Sequence, residues 1–170
     1  MAVFTEVPFA EAAALLAQLG AGKLERLEGI SSGIENTNYF ADTSERRLVI
    51  TLFERLSRDE LPFYLELMQH LAQRGLPVPG PIAAVSGELL HTLACKPTAV
   101  TPRLVGAPVE APSKEQRHSV ASTLAKLHDA GRDYARKQSS TRGLAFWQKH
   151  APWLGSRLAE PARALLASEL

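Results

Sequence analysis

An α+β fold divided into two lobes is predicted by three observations. β-prone segments crowd roughly the first hundred residues, helix-opening and helix-stopping signals interrupt them, and beyond a linker-like stretch at 106–112 only helical patterns follow. We assign a strand-rich lobe to residues 1–106 and the start of a helical lobe to residues 107–170.

The elements follow in order. Over residues 9–19 an alanine-rich segment places Ala12, Leu15, Leu16 and Leu19 on one helical face, and Gly20 and Gly22 stop it. Residues 24–30, 38–43 and 47–53 read as strands. The third is nearly all apolar and belongs inside a sheet. Ser57 and Glu60 form a capping-box pattern, opening a helix whose apolar face is Leu61, Tyr64, Leu65, Met68, Leu71 and Ala72. Gly75 stands where a C′ residue should. That helix is expected on one face of an antiparallel sheet, with Met68 buried and Glu66 off the seam. Pro77, Pro79 and Pro81 hold its exit extended.

Residues 82–85, a Ser86-Gly87 turn and residues 89–93 suggest a hairpin, and residues 98–104 a further strand. Pro102 assigns that strand to an edge or a crossover. Ser113 and Gln116 make a second capping box, and Val120, Ala121, Leu124 and Leu127 predict the buried stripe of a long helix closed by His128 and Gly131. Phe146, Trp147, Trp153, Leu154 and Leu158 mark more helix, with the tryptophans expected in core or interlobe packing. The last residues stop inside a helical pattern without a cap, so the sequence reads as unfinished.

Between the first two strands lies GISSGIENTNYF, Gly29 to Phe40. A turn rich in Gly, Ser and Asn leaves backbone N–H groups free and lets the chain approach a ligand closely, which is how a phosphate is held. The same composition makes an ordinary hairpin loop, and the turn alone leaves both uses open.

At 170 residues the chain can bury a core for one domain or slightly more. Nineteen Lys and Arg against 18 Asp and Glu give a net charge of +1, with no basic block or acidic tail to argue for nucleic acid or anionic membrane. A single cysteine, Cys95, makes neither an internal disulfide nor, alone, a cysteine zinc site. Glu6 and Glu11 precede any basic residue and no long apolar run follows, so neither signal peptide nor anchor is expected. A reducing cytoplasm is the default.

Several phrases together carry a resemblance. They are Ala2-Val3-Phe4-Thr5-Glu6-Val7, Gly33-Ile34-Glu35-Asn36-Thr37-Asn38-Tyr39, Thr51-Leu52-Phe53-Glu54-Arg55 and Glu60-Leu61-Pro62-Phe63-Tyr64. Gly75-Leu76-Pro77-Val78-Pro79, Lys96-Pro97, Leu124-Ala125-Lys126-Leu127-His128 and Ala130-Gly131 continue them. In this order the chain resembles the protein-kinase-like fold of aminoglycoside and choline phosphotransferases. Within it, the wording is similar to the homoserine kinase family of that fold, over essentially the whole chain.

The resemblance implies an antiparallel-sheet N-lobe with one packed helix, the first helices of a helical C-lobe, and ATP with Mg²⁺ as cofactors. The implied reaction moves a phosphoryl group to the L-homoserine hydroxyl, a step of threonine synthesis. In that fold the loop between the first two strands covers the nucleotide phosphates. Ser32, Gly33 and Ile34 would then offer backbone N–H groups, and Asn36 and Asn38 would orient a phosphate or brace the turn. Kinases of this plan use a lysine on the third strand, paired with a helix glutamate. Thr51 stands at the lysine position, no Lys lies between Lys23 and Lys96, and Glu66, nine residues before Gly75, stands at the glutamate position. A polar residue at that strand position is typical of the homoserine kinase group. Glu66 then either braces the loop or shares a polar face with His70 and Gln73.

Lys96 reads as a solvated loop lysine that can also reach a nucleotide. Thr101 to Leu104 falls at the connection between lobes, where backbone pairs with the adenine edge; this adds Thr101 and Arg103 to the cofactor-binding set, Arg103 itself reading as a surface residue. His128, at a helix end, reads as structural. The family's H-x-D-x-x-x-x-N phrase and its later acidic residue do not occur. No catalytic residue and no metal ligand is therefore assigned in this chain, and the 170 residues alone are expected to be inactive. Another small-molecule kinase of the fold, or a non-catalytic nucleotide-binding module, are the alternatives.

Overall fold

Alternating burial decides which way each strand faces. β1 (Leu24–Gly29), β2 (Thr37–Thr43), β3 (Arg47–Leu52), β4 (His91–Leu93) and β5 (Lys96–Pro102) pair antiparallel in the order β1-β2-β3-β5-β4. Along β2, Thr37, Tyr39, Ala41 and Thr43 are buried, while Asn38, Phe40 and Asp42 between them are half-buried. In a strand such neighbours point to opposite faces. The sheet therefore has a closed face and a more open one.

The computed structural model describes residues 4–140 and 142–169, and the chain divides into two units, Met1–Ala135 and Arg136–Leu170. In the first unit the closed face meets α1 (Phe9–Gln18). Its Ala12, Leu15 and Leu16 share one core with Leu48, Ile50 and Leu52 of β3, Tyr39 and Ala41 of β2, and Val100 of β5. Leu16, Leu48, Ile50 and Leu52 are fully buried, each contributing about 1.5–3 kcal/mol of transfer free energy. α2 (Leu61–Gln73) packs differently: Leu61 and Leu65 meet Ala99, which neighbours Val100 on β5 and so faces the other side. The expected packed helix is α2, and a second helix lies across the sheet from it.

Helix signals in the sequence resolve unequally. Gly75 has φ +75° and closes α2 through Gly75 N–H to Ala72 O (2.9 Å) and Leu76 N–H to Leu71 O (3.2 Å), the paired bonds of a Schellman ending. At the start of α2 the capping box is not formed. Glu60 is itself the N-cap, and its carboxylate accepts from Ser57 N–H (2.9 Å) and Ser57 Oγ (2.8 Å) in a turn ahead of the helix. Met68 is half-buried rather than buried, and Tyr64 is 40% exposed, because Leu61, Leu65 and Leu71 occupy the seam.

α3 (Lys114–Gly131) does open with the complete Ser113–Gln116 box. Its predicted buried stripe is a correction: no residue of α3 is buried, with Val120 68% and Leu124 50% exposed. Polar contacts tie the end of α2 to the end of α3 and the residues just beyond it. Arg74 Nη1 donates to His70 Nδ1 (2.8 Å), leaving Nε2 to meet Ala130 O at 2.9 Å, and Arg74 Nη2 pairs with Asp133 at 2.6 Å.

One strand reading is narrowed and another corrected. Of the edge or crossover that Pro102 left to β5, the sheet takes the crossover: β5 lies between β3 and β4, Pro102 terminates it opposite Leu48, and Pro97 sits near its other end. Residues 82–85 do not become a strand, although the Ser86-Gly87 turn after them forms, closed by Ala84 N–H to Glu88 O (2.8 Å) and Gly87 N–H to Ala84 O (2.9 Å). The hairpin is instead β4–β5, turned by Ala94 (φ +49°) and Cys95 (φ +59°), the positive pair that a two-residue hairpin turn requires.

The second unit contains α4 (Leu144–Gly155) and α5 (Ala162–Ser168), tied by Arg163 donating to Gly155 O (2.9 Å) and Leu158 O (3.0 Å). Within it Trp147 and Trp153 are 43% and 57% exposed, so neither fills a core of that unit, and Trp153 is covered by the Arg157 guanidinium. Among the described residues no helix is long and apolar enough to cross a membrane.

Candidate functional site

The loop between β1 and β2 is held at its mouth and open at its tip. Ile30 N–H donates to Asn38 O (2.8 Å), closing the mouth, and Ser31 to Glu35 are exposed. Among the described residues none of the backbone amides of 31–35 donates a hydrogen bond within the chain. Gly33 has φ +127°, a conformation that side-chain-bearing residues rarely adopt. Ile34 is 84% exposed, so its side chain anchors nothing and its N–H is what it offers. Ser32, Gly33 and Ile34 thus form a short run of free donors of the kind that accepts a phosphate.

Asn38 braces that run. Its Nδ2 donates to Asn36 O (3.3 Å) and its Oδ1 accepts from Thr51 Oγ1 (2.7 Å), its partner across β2 and β3. One bond at each end of the amide is made inside the protein, so Asn38 shapes the loop. Thr51 occupies the strand position expected of a lysine and supplies a brace instead of a charge. On the same open face Phe40, Val49 and Thr101 line up across β2, β3 and β5. The Arg103 guanidinium lies 3.8 Å from the Phe40 ring centroid, and Arg103 N–H donates to Arg47 O (2.9 Å), so this side chain is engaged with the sheet. Glu66 lines a cleft with Arg58, Asp59, Pro62 and residues 87–90, whose described lining holds no other predicted site residue. Asn36, Asn38 and Thr51 are therefore brought together, Thr101 and Arg103 lie along the same face, and Glu66 lines the cleft beside Arg58 and Asp59.

A second network was not foreseen. Glu54 follows β3 and its Oε1 accepts from Thr5 Oγ1 (2.7 Å) and Thr37 Oγ1 (2.7 Å), while Oε2 meets Lys96 Nζ at 2.9 Å. Burial pushes the Glu54 carboxyl upward, but the bonds from Thr5, Lys96 and Thr37, with the charge of Lys96, outweigh it and hold the group below the usual carboxylate value. Lys96 is thus committed to an ion pair. The antiparallel register supplies the missing signal: with Leu52 opposite Thr98, the residues two further on in each direction are Glu54 and Lys96.

The fit of this site to a nucleotide rests on the open amides, the positive φ at Gly33 and the polar row beneath them. For a metal the outcome differs: among the described residues no group of three or more His, Cys, Asp or Glu is placed to hold an ion.

Comparison with known proteins adds the relatives. A homoserine kinase of Polaromonas naphthalenivorans (strain CJ2) is 51% identical over 170 residues, 100% of this chain and 54% of that protein. One of Burkholderia multivorans (strain ATCC 17616 / 249) is 43% identical over 170 residues, 100% of this chain and 51% of that protein. The chain therefore spans about half the length of the curated relatives it matches. Among solved structures, a spectinomycin phosphotransferase in complex with ADP and spectinomycin superposes with a TM-score of 0.64 at 16% identity, covering 88% of this chain and 47% of that one. Its AMP-bound complex gives 0.59 at 16% identity, with the same 88% and 47% covered. The fold is the α+β, protein-kinase-like fold of those phosphotransferases. The model of the phosphotransferase enzyme family matches residues 26–170, from β1 through the last helix, and the chain belongs to that family.

Proposed function

We propose that the protein carrying this chain is an ATP-dependent homoserine kinase. The observation that carries the proposal is identity of 43–51% across all 170 residues to proteins named homoserine kinase, over a fold whose exposed loop offers free amides. Residues 1–106 are assigned the nucleotide-binding lobe and residues 107–170 the start of the helical lobe. The setting is the cytoplasm, where ATP is available.

In this reading the homoserine hydroxyl oxygen attacks the γ-phosphorus of ATP, the bond to the β,γ-bridging oxygen breaks, and ADP leaves with that electron pair. This chain binds and orients the nucleotide. The amides of Ser32, Gly33 and Ile34 meet phosphate oxygens, and the loop keeps its shape through Asn36, Asn38 and Thr51. The backbone at Thr101 to Leu104 takes the adenine edge. Mg²⁺, when bound, neutralises developing phosphate charge. Its ligands and the base that takes the hydroxyl proton are assigned to the length of the relatives that this chain does not span.

Coupled ADP-release assays on the full-length gene product, with L-homoserine, choline and spectinomycin offered separately, test the proposal. Turnover with homoserine supports it. Turnover with choline or spectinomycin alone moves the protein to another small-molecule kinase of the fold and overturns it.

A further inference from the structure

We propose that the N-terminal segment 4–7 is a strap that fixes the phosphate loop from behind, with Thr37 and Glu54 as positioning residues for the nucleotide. The inference rests on the nucleotide-binding reading of the loop.

Thr37 is the first residue of β2, directly after the loop, and is fully buried. Its hydroxyl accepts from Phe4 N–H (2.9 Å) and Thr5 N–H (3.1 Å) and donates to Glu54 Oε1 (2.7 Å). A hydroxyl has one donor and two acceptor sites, so Thr37 is saturated. Tyr39, two residues on and facing the same way, repeats the arrangement: its hydroxyl accepts from Val7 N–H (3.1 Å) and donates to Thr5 O (3.0 Å). The strap is pinned by polar groups at two successive inward positions of β2. Hydrophobic cover alone would need none of these bonds. Lifting the strap takes both backbone donors from the Thr37 hydroxyl and the Thr5 donor from Glu54 Oε1, and acceptors left short of partners in the interior are costly.

The consequence for the loop comes from strand alternation. Thr37 and Asn38 are consecutive and point to opposite faces. Asn38 holds the loop from the open face through Asn36 and Thr51, and Thr37 holds it from the closed face through Glu54 and the strap. A loop clamped on both sides of its exit keeps its amides aimed before the nucleotide arrives, which lowers the ordering cost of binding.

Thr43 supplies an internal control. It lies at the far end of the same strand, is buried, and donates to Ala21 O (2.7 Å), so Thr43→Val makes the same chemical change away from the loop. Calorimetric titration of the full-length protein with ADP, beside hydrogen exchange at the Ile30 amide that closes the loop mouth, tests the strap. Thr37→Val is expected to weaken ADP about tenfold and to speed Ile30 exchange, Thr37→Ser to restore both, and Thr43→Val to leave ADP affinity unchanged. Should Thr37→Val not fold, Glu54→Gln is expected to weaken ADP in the same direction by a smaller factor, because an amide oxygen accepts from Thr37 and Thr5 more weakly than a carboxylate does. Equal effects of Thr37→Val and Thr43→Val, or no effect of Thr37→Val or Glu54→Gln on a wild-type protein that binds ADP, would overturn the strap while leaving the nucleotide reading intact. A wild-type protein that binds no ADP would overturn both.

Discussion

Thr51 gives its hydroxyl hydrogen to Asn38 Oδ1 across β2 and β3 at 2.7 Å. This one bond relates the unusual strand residue to the shape of the loop. Where a strand lysine would reach for phosphate with charge, Thr51 reaches sideways and holds the amide that in turn holds Asn36. Thr51→Val keeps the shape, removes the donor and leaves Asn38 Oδ1 without its partner. The expected loss is about 1–2 kcal/mol by chemical denaturation, with Thr51→Ser losing less. Equal stability of wild type and Thr51→Val would show that the bond does not matter.

Burial ranks two neighbouring positions on α2. Leu65 is 3% exposed against Ala99, and Met68 is only half-buried beside it. Leu65→Ala should cost about 2–5 kcal/mol, and Met68→Ala less, because part of the methionine already touches water. A larger loss at Met68 would mean that the seam of α2 is rotated from the one described.

The acid side of the stability curve should carry a signature of Glu54. Its folded-state pKa is depressed by hydrogen bonds and by Lys96, against burial. A depressed carboxylate binds its proton less readily folded than unfolded, so its stabilisation is full above the unfolded value of about 4.3. It is lost as pH falls from there through the lower folded value. Glu54→Gln should flatten that part of the profile and reduce stability at neutral pH. Parallel acid limbs for wild type and variant would exclude the linkage.

Much of the fold was legible because local chemistry and tertiary need agree there. The α1 stripe Ala12, Leu15 and Leu16 is buried as its spacing demands, Gly75 takes the positive φ its position requires, and the Ser113–Gln116 box forms in full. β3 lies inside the sheet, as its apolar run indicated. Other features depend on partners far along the chain. Pro102 left an edge or a crossover open, and only the sheet order chooses the crossover; a proline at the last position of β5 withholds no donor from the strand's middle, so an interior place is allowed. Ala94 and Cys95 make a hairpin turn without glycine or asparagine, and nothing in their identity announces it. The apolar spacing of Val120 and Leu124 reports a face suited to burial, and spacing alone does not say what covers it.

Within the candidate site, the loop was visible from composition and order, and Thr51 from the kinase plan that the chain resembles. Lys96 and Glu54 were not, since 42 positions of sequence separate them and only the β3–β5 register places them face to face. Asn38 was left between bracing and ligand contact; its two internal bonds brace the loop, and its second N–H is still there to meet a phosphate.

The central claim is that backbone amides of the loop, and not a lysine, hold the phosphates, and it is tested most directly by calorimetric titration of MgATP into the full-length protein and two variants. Gly33→Val puts a β-branched side chain at φ +127° where the backbone has to approach phosphate. The account predicts at least about a tenfold loss of affinity, near 1.4 kcal/mol, for Gly33→Val and a smaller loss for Lys96→Ala, whose charge is already paired with Glu54. Binding abolished by Lys96→Ala and untouched by Gly33→Val would contradict it, and the loop would be a hairpin and nothing more.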